Sequence, residues 1–353
     1  MKKGSRLINE FSWSFSRHST FLECEKKYWY TYYGSWEGWP KTPFDSRERV
    51  DPLASYLYTM KQIQNLSAYV GSCVHEAIEE ELKKRLHAVK KDSIPLENLI
   101  SDAITHFRQG IQDTKKGTWK VSPKKHANIF EYYFRQDKAS DPLTEELVAD
   151  AEKKISLCLT NWHTSSILKM AFDDRARWLS VEELAHFLLE SFKIIVVIDF
   201  AMKWKNSQSD AVILFDWKTG QESDKNEEQL YSYALFAHRM WGIPYDRIIL
   251  SPFYLASNKY FKIGFQQETP LDLARIQKVE DSIVSSCKTM TSKLETLTPT
   301  ADTPPPDPRL FPYTVDRAKC PRCPFQNICT AAKYEPCTTQ ELGTLVQNSL
   351  AIS

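Results

Sequence analysis

Two stretches decide how this chain reads: Ile194-Ile195-Val196-Val197-Ile198-Asp199, and Val212-Ile213-Leu214-Phe215-Asp216-Trp217-Lys218-Thr219-Gly220. Both are β-branched and aromatic runs of strand length, and both end on a charged residue. Side chains alternate along a strand, so Asp216 and Lys218 share a face while Trp217 points the other way. A hairpin through Lys205–Asp210 would bring Asp199 beside Asp216. Two convergent carboxylates are what a hard divalent cation needs. A lysine two residues on can orient an attacking water, help deprotonate it, or offset charge growing on a phosphate. An aspartate and a lysine two apart are also common on solvated edge strands. Here they close strongly apolar runs, where a charge is costly unless it is used.

Outward from this centre the chain separates into a helical half and a strand-rich half. Ser16–Tyr33 reads as one amphipathic helix, with Ser16 or Ser19 as N-cap and Gly34 as its stop. Helical periodicity marks 54–90, 95–112, 126–138 and 143–172. Strands are expected over Ser180–Leu189, Lys193–Met202, Ala211–Lys218, Arg247–Leu255 and Tyr260–Phe265, with helices over Glu227–Trp241 and Leu271–Leu294. Thr298–Pro312 is proline-rich and reads as a linker or strap. The organisation expected is a single domain over 1–353. It comprises an N-terminal segment (11–45), a helical region (46–178), a core (179–297), a linker with cysteines (298–337) and a tail (338–353).

The bulk numbers exclude several classes. The 353 residues are 42% hydrophobic and 26% charged, an ordinary globular composition. A net charge of +1 means that any nucleic-acid surface must be local. No apolar run is long enough for a membrane span, and Met1-Lys2-Lys3-Gly4-Ser5-Arg6 lacks the apolar stretch of a signal peptide, so a cytoplasmic setting is expected. No G-x4-G-K-[ST] motif suggests an ATP-driven motor. Eight cysteines are too few for a disulfide scaffold and fit a reducing compartment.

In order along the chain come Gly71-Ser72-Cys73-Val74-His75-Glu76-Ala77-Ile78-Glu79, an acid at Glu182 or the adjacent Glu183, Ile198-Asp199, Asp216-x-Lys218, and Gln229-x3-Tyr233. That series resembles the RecB/AddB-like branch of the PD-(D/E)xK nuclease superfamily, which is similar to the CRISPR-adaptation nucleases. The resemblance runs from Cys24 to Cys329. It implies an α/β fold: a restriction-endonuclease-like core of central mixed sheet flanked by helices, with a large helical insertion and an iron–sulfur staple. It implies that His75, Asp199, Asp216 and the Trp217 carbonyl hold Mg²⁺ or Mn²⁺, and that Lys218 is the catalytic lysine. Glu182 would match the upstream acid, while Gln229 and Tyr233, one helical turn apart, would support the lysine or contact DNA. Where the family often has glycine, three residues before the aspartate of the I-D motif, this chain has Val196; the change removes no ligand. The implied activity is DNA phosphodiester hydrolysis on single strands or ends, exonucleolytic ahead of endonucleolytic, in repair, recombination or defence, with a helicase or other DNA-processing protein as partner.

Cys320, Cys323 and Cys329 form C-x2-C-x5-C, a strong metal signal that needs a fourth ligand for zinc or iron–sulfur. The resemblance points to Cys24 and a 4Fe-4S cluster. Cys337 competes on spacing, since it would close a local zinc knuckle. The 83–125 stretch is basic, with Trp119 in its midst, and Lys115, Lys116, Lys124 and Lys125 are candidates for tracking phosphates. A solvated helical face explains the same residues. Two other functions fit parts of the pattern: a catalytically silent DNA-binding scaffold that partners a helicase, and a zinc-binding interaction protein.

Overall fold

The computed structural model describes residues 7–40, 50–86, 95–134, 141–205, 210–222, 224–264 and 271–330. In chain order these form α1 (Phe15–Glu23), α2 (Glu25–Trp29) with a π turn at Tyr30–Gly34, α3 (Pro52–Met60), α4 (Leu66–Leu86), α5 (Leu96–Lys116), α6 (Phe130–Tyr133), α7 (Glu145–Thr164) and α8 (Ser166–Ala171). Then come β1 (Ala176–Leu189), β2 (Phe192–Trp204), β3 (Ala211–Lys218), α9 (Asp224–Trp241), β4 (Ile248–Tyr254), β5 (Lys259–Tyr260), β6 (Ile263–Gly264) and α10 (Leu273–Thr291). Among the described residues no helix is long and apolar enough to cross a membrane.

The chain divides into two compact units. One is Met1–Asn65, Gly110–Pro142 and Ser286–Ser353; the other is Leu66–Gln109 and Leu143–Ser285. The second unit holds a six-stranded mixed sheet in the order β1-β2-β3-β4-β5, with β6 pairing β4. All pairings are antiparallel except β3 with β4, which is parallel. Every residue of β4, and every residue of β3 except Lys218, is buried. Parallel central strands are covered on both faces and so carry near-continuous apolar sequence. Burying a charged Asp216 at the end of such a run is therefore a local expense that the site must offset. The mixed α/β sheet flanked by helices is the architecture expected from the sequence.

Five helical expectations change. The helix expected at Ser16–Tyr33 is cut at Cys24, whose backbone is extended (φ −166°, ψ 115°). Ser14, rather than Ser16 or Ser19, caps α1 by accepting the Arg17 N–H. The 54–90 helix is two helices parted by residues 61–65, where Gln64 bridges to Ile129. Of the expected 126–138 helix, the described residues 126–134 hold only the single turn of α6, and 135–138 lie outside the described residues; 143–172 splits at Ser165, which caps α8 through Leu168 N.

Candidate active site and cysteine cluster

All the acid, histidine and lysine candidates for catalysis fall in the second unit. Phe200 pairs with Phe215 across β2 and β3, so Asp199 and Asp216 follow as cross-strand neighbours on the opposite face. The Phe215 and Trp217 rings stack with Phe200 on the other side, which fixes the strand's orientation. On β1, Val181 and Glu183 pair with Phe200 and Ile198, leaving Glu182 opposite Asp199. Glu182 takes a left-handed conformation (φ 49°) inside a strand, a conformation that costs about 1–3 kcal/mol in a non-glycine residue. Glu183 is exposed. Of the two adjacent acids, Glu182 is the one that reaches the site.

His75 comes from α4. Its Nδ1 lies 3.1 Å from Glu182 Oε1 and 3.8 Å from Asp199 Oδ2, and its Nε2 lies 3.1 Å from the Trp217 carbonyl oxygen. The Trp217 N–H donates to Asp199 Oδ2 at 2.6 Å. One ligand atom each from His75, Glu182 and Asp199 lies within 4.8 Å of the others. Asp216, also a metal candidate by sequence, stands outside that trio and faces the lysine. Lys218 Nζ donates to Asp216 Oδ1 at 3.0 Å and to Gln229 Oε1 at 3.1 Å. Gln229 Nε2 donates to the Tyr233 hydroxyl at 2.6 Å, and that hydroxyl donates to Asp216 Oδ1 at 3.4 Å. The four side chains thus close a ring. Gly71, one turn before His75, passes close to this strand end: a Cβ there would lie 3.1 Å from Thr219 Oγ1.

The electrostatics follow from burial. Asp216 is 1% exposed and Asp199 7%. Burial pushes the Asp199 carboxyl well above the usual carboxylate range, and the Asp216 charge adds to it while His75 opposes it. Burial likewise raises Asp216, against the pull of Lys218. Burial would lower His75, but the Glu182 hydrogen bond and the Asp199 and Glu182 charges outweigh it and lift the imidazole to about 9. Lys218 is also held above its ordinary value: desolvation lowers it, and Asp216 and Asp199 more than compensate. Burial raises the Tyr233 hydroxyl far above its ordinary value, so it stays a neutral donor. Nothing in the local sequence marks Tyr254, which lies in register with Lys218 on β4.

The residues present fit a divalent cation. The donor set is one imidazole, carboxylates and a peptide carbonyl, suited to Mg²⁺ and better to Mn²⁺, which accepts nitrogen more readily. Burial disfavours the charged forms of Asp199 and Asp216, and a bound cation would offset that cost. Asp216 Oδ2, 2.8 Å from the lysine ammonium, has no aligned hydrogen bond.

In the first unit, Cys24, Cys320, Cys323 and Cys329 line one cavity together with Lys26, Lys27 and Tyr30. The Cys24 sulfur accepts the Lys27 N–H at 3.5 Å and caps α2. The Cys323 N–H donates to the Cys320 carbonyl at 3.0 Å, holding the C-x2-C turn. Burial pushes the Cys323 thiol up to about 12. Among the described residues no three of these sulfurs come within 4.8 Å of one another. Cys337 lies outside the described residues. Cys73, Cys158 and Cys287 are buried.

Lys115, Lys116, Lys124 and Lys125 are exposed, and Lys115 pairs with Asp141 at 2.5 Å. Trp119 does not belong to that surface. It is 7% exposed, its ring packs edge-on against Tyr133, and it offers no face to a base.

A model of the PD-(D/E)XK nuclease superfamily matches residues 12–330, and the chain belongs to that superfamily. Its members are generally nucleases that use divalent metals. None of the curated proteins compared matches the chain.

Proposed function

We propose that this protein is a Mg²⁺- or Mn²⁺-dependent DNA nuclease acting on single strands or ends in repair, recombination or defence, exonucleolytic ahead of endonucleolytic. The observation that carries this reading is the trio His75, Glu182 and Asp199, with the Trp217 carbonyl on the imidazole, beside the closed ring of Asp216, Lys218, Gln229 and Tyr233. His75, Asp199, Asp216 and the Trp217 carbonyl would hold the ion, with Glu182 completing or orienting the set. A bound divalent ion supplies positive charge at the scissile phosphate and acidifies the attacking water.

The remaining chemistry belongs to the chain. Lys218 is anchored at two acceptors, so its ammonium keeps one direction and stays protonated in the ion-free protein. A fixed ammonium orients the water and offsets charge developing on the phosphate without reorganising. Gln229 and Tyr233 position it: the glutamine presents its oxygen to the lysine because its nitrogen is engaged by the tyrosine. Lys115, Lys116, Lys124 and Lys125 would hold the DNA backbone through charge alone.

The cysteine cavity would hold a 4Fe-4S cluster, with Cys24, Cys320, Cys323 and Cys329 as its four thiolates.

The test is a cleavage assay on end-labelled single-stranded DNA with Mg²⁺ or Mn²⁺, comparing wild type with Lys218→Met. The variant should lose roughly 10²–10⁴-fold in rate while binding Mn²⁺ and DNA as before. A wild type that binds Mn²⁺ but cleaves no DNA would favour the silent scaffold.

A further inference from the structure

We propose that Phe261 is a base-stacking residue of the nuclease site: its ring takes an unpaired nucleobase of the strand being cut, close to the scissile phosphate. The inference rests on the reading of Lys218 as the lysine that acts at that phosphate. After β4 the chain reverses at Asn258, which holds a left-handed conformation (φ 53°), and returns as β5. Tyr254 is in register with Lys218 on one side and with Lys259 on the other. Residues in register point the same way, so these three side chains form a row on one face of the sheet. Just past β5, the Phe261 N–H donates to the Pro252 carbonyl at 3.2 Å, and Pro252 is in register with Asp216. Phe261 therefore stands two strand spacings from Asp216, about 10 Å.

Alternation sets the direction of the ring. Tyr260 pairs with Phe253 and packs edge-on against it at 5.8 Å, on the side of Trp217. Phe261 goes to the other side, where its ring meets Tyr254 edge-on with centroids 6.2 Å apart. That is the face of Lys218. A lone exposed apolar residue needs no explanation in itself. Among the described residues, however, Phe261 is the only exposed phenylalanine, at 44%, and it stands on the catalytic face. Ser257, Asn258 and Lys259 beside it are exposed and polar, so the ring is not part of an apolar patch that a protein partner would bury. Lys259 adds charge to the same face. Its ammonium pairs at 3.2 Å with Glu222, and both are exposed, a contact that a phosphate displaces at little cost. A basic side chain beside an aromatic ring is what holds single-stranded DNA: the cation takes the backbone, the ring takes the base, and every base has a π-face. Inside a duplex the neighbouring bases cover both faces, so the ring favours an unpaired nucleotide.

The probe is a fluorescein-labelled oligothymidylate of about twelve nucleotides, followed by fluorescence anisotropy on the full chain in chelator, so that binding is read without cleavage. Phe261→Leu keeps the apolar bulk and removes the π-face; it should weaken binding by about tenfold. Phe261→Trp should bind as wild type does, and Tyr260→Leu, on the opposite face, should leave binding unchanged. An abasic strand of the same length should bind wild type and Phe261→Leu equally, because only a base meets the ring. Circular dichroism checks that each variant is folded. No binding by wild type, unchanged binding of oligothymidylate by Phe261→Leu, or an equal loss on the abasic strand overturns the proposal. The nuclease reading is decided separately: a wild type that binds through Phe261 and cleaves no DNA would sink that reading alone, while Lys218-dependent cleavage with binding indifferent to Phe261 would sink this one alone.

Discussion

His75 gives the site a pH signature in the metal-free protein that can be measured before any substrate is known. Its imidazole is lifted from 6.5 to about 9 by Glu182 and Asp199 against the cost of burial. A group that binds its proton more tightly when folded stabilises the fold fully below its unfolded value and loses that contribution as pH rises through the folded one. From the two values, the contribution is roughly 3 kcal/mol at pH 6, roughly 2 kcal/mol at pH 7.5 and roughly 0.4 kcal/mol at pH 9. The side chain is 30% accessible to water, and screening trims the loss between pH 6 and pH 9 to about 2 kcal/mol. For a domain of this size that is roughly 4–8 °C in Tm. The buried, raised Asp199 and Asp216 act in the same direction, since they too hold protons in the fold that they release in the open chain. The assay is thermal unfolding of chelator-treated protein at pH 6, 7.5 and 9, followed by circular dichroism, for wild type and His75→Gln. Subtracting the variant cancels all titrations that do not involve His75. Saturating Mn²⁺ should abolish the difference, because the ligand form of the imidazole is neutral, and at pH 7.5 ion binding should release about one proton from His75. Identical pH slopes in wild type and His75→Gln would refute the electrostatic account of the site.

Asp199→Asn should weaken Mn²⁺ binding and abolish cleavage, whereas Lys218→Met should abolish cleavage alone; isothermal titration beside the cleavage assay separates the two, and wild-type activity in both variants would falsify the assignment. If Cys24, Cys320, Cys323 and Cys329 hold a 4Fe-4S cluster, anaerobically purified protein should be brown, with absorbance near about 400 nm arising from thiolate-bound iron. Cys320→Ala should lose that absorbance and unfold at lower temperature, while a colourless protein with one zinc per chain would exclude the cluster. Reversing the charges of Lys115, Lys116, Lys124 and Lys125 should weaken binding to single-stranded DNA and flatten its salt dependence by up to about three units of slope. An unchanged slope would leave these residues as a solvated face.

The sheet was legible in the sequence because its strands are long, apolar and punctuated: β1 to β4 fall where the alternating runs lie. Asp216 and Lys218 could be placed on one face from strand periodicity alone, and Asp199 beside them only through the expected hairpin. The partners of the lysine were legible only as spacing, one helical turn between Gln229 and Tyr233. What escaped depends on backbone conformation and on pairings distant in sequence. The left-handed turn at Glu182 resolves the choice between two adjacent glutamates, and no residue type announces it. The parallel register that sets Tyr254 beside Lys218 joins strands separated by a helix. In the helical half, periodicity ran on through Cys24 and through 61–65, because a break made by an extended cysteine or a bridging glutamine carries no proline or glycine to mark it.

The first unit is assembled from three separate lengths of chain, Met1–Asn65, Gly110–Pro142 and Ser286–Ser353, and that bears on how the protein is made. During synthesis at about 5–20 residues per second, the aromatic segment holding Trp13, Tyr28, Trp29 and Tyr33 must wait tens of seconds for its partners. Phe311 and Phe325, against which Tyr28, Tyr33 and Tyr30 pack, are translated only near the end. The strands of the second unit are complete well before that, so the sheet can condense on the ribosome while this greasy N-terminal stretch is still unsatisfied. A nascent chain stalled between β6 and the cysteine motif would leave Tyr28, Tyr30 and Tyr33 without these ring partners, a hydrophobic surface that only the later-made residues cover.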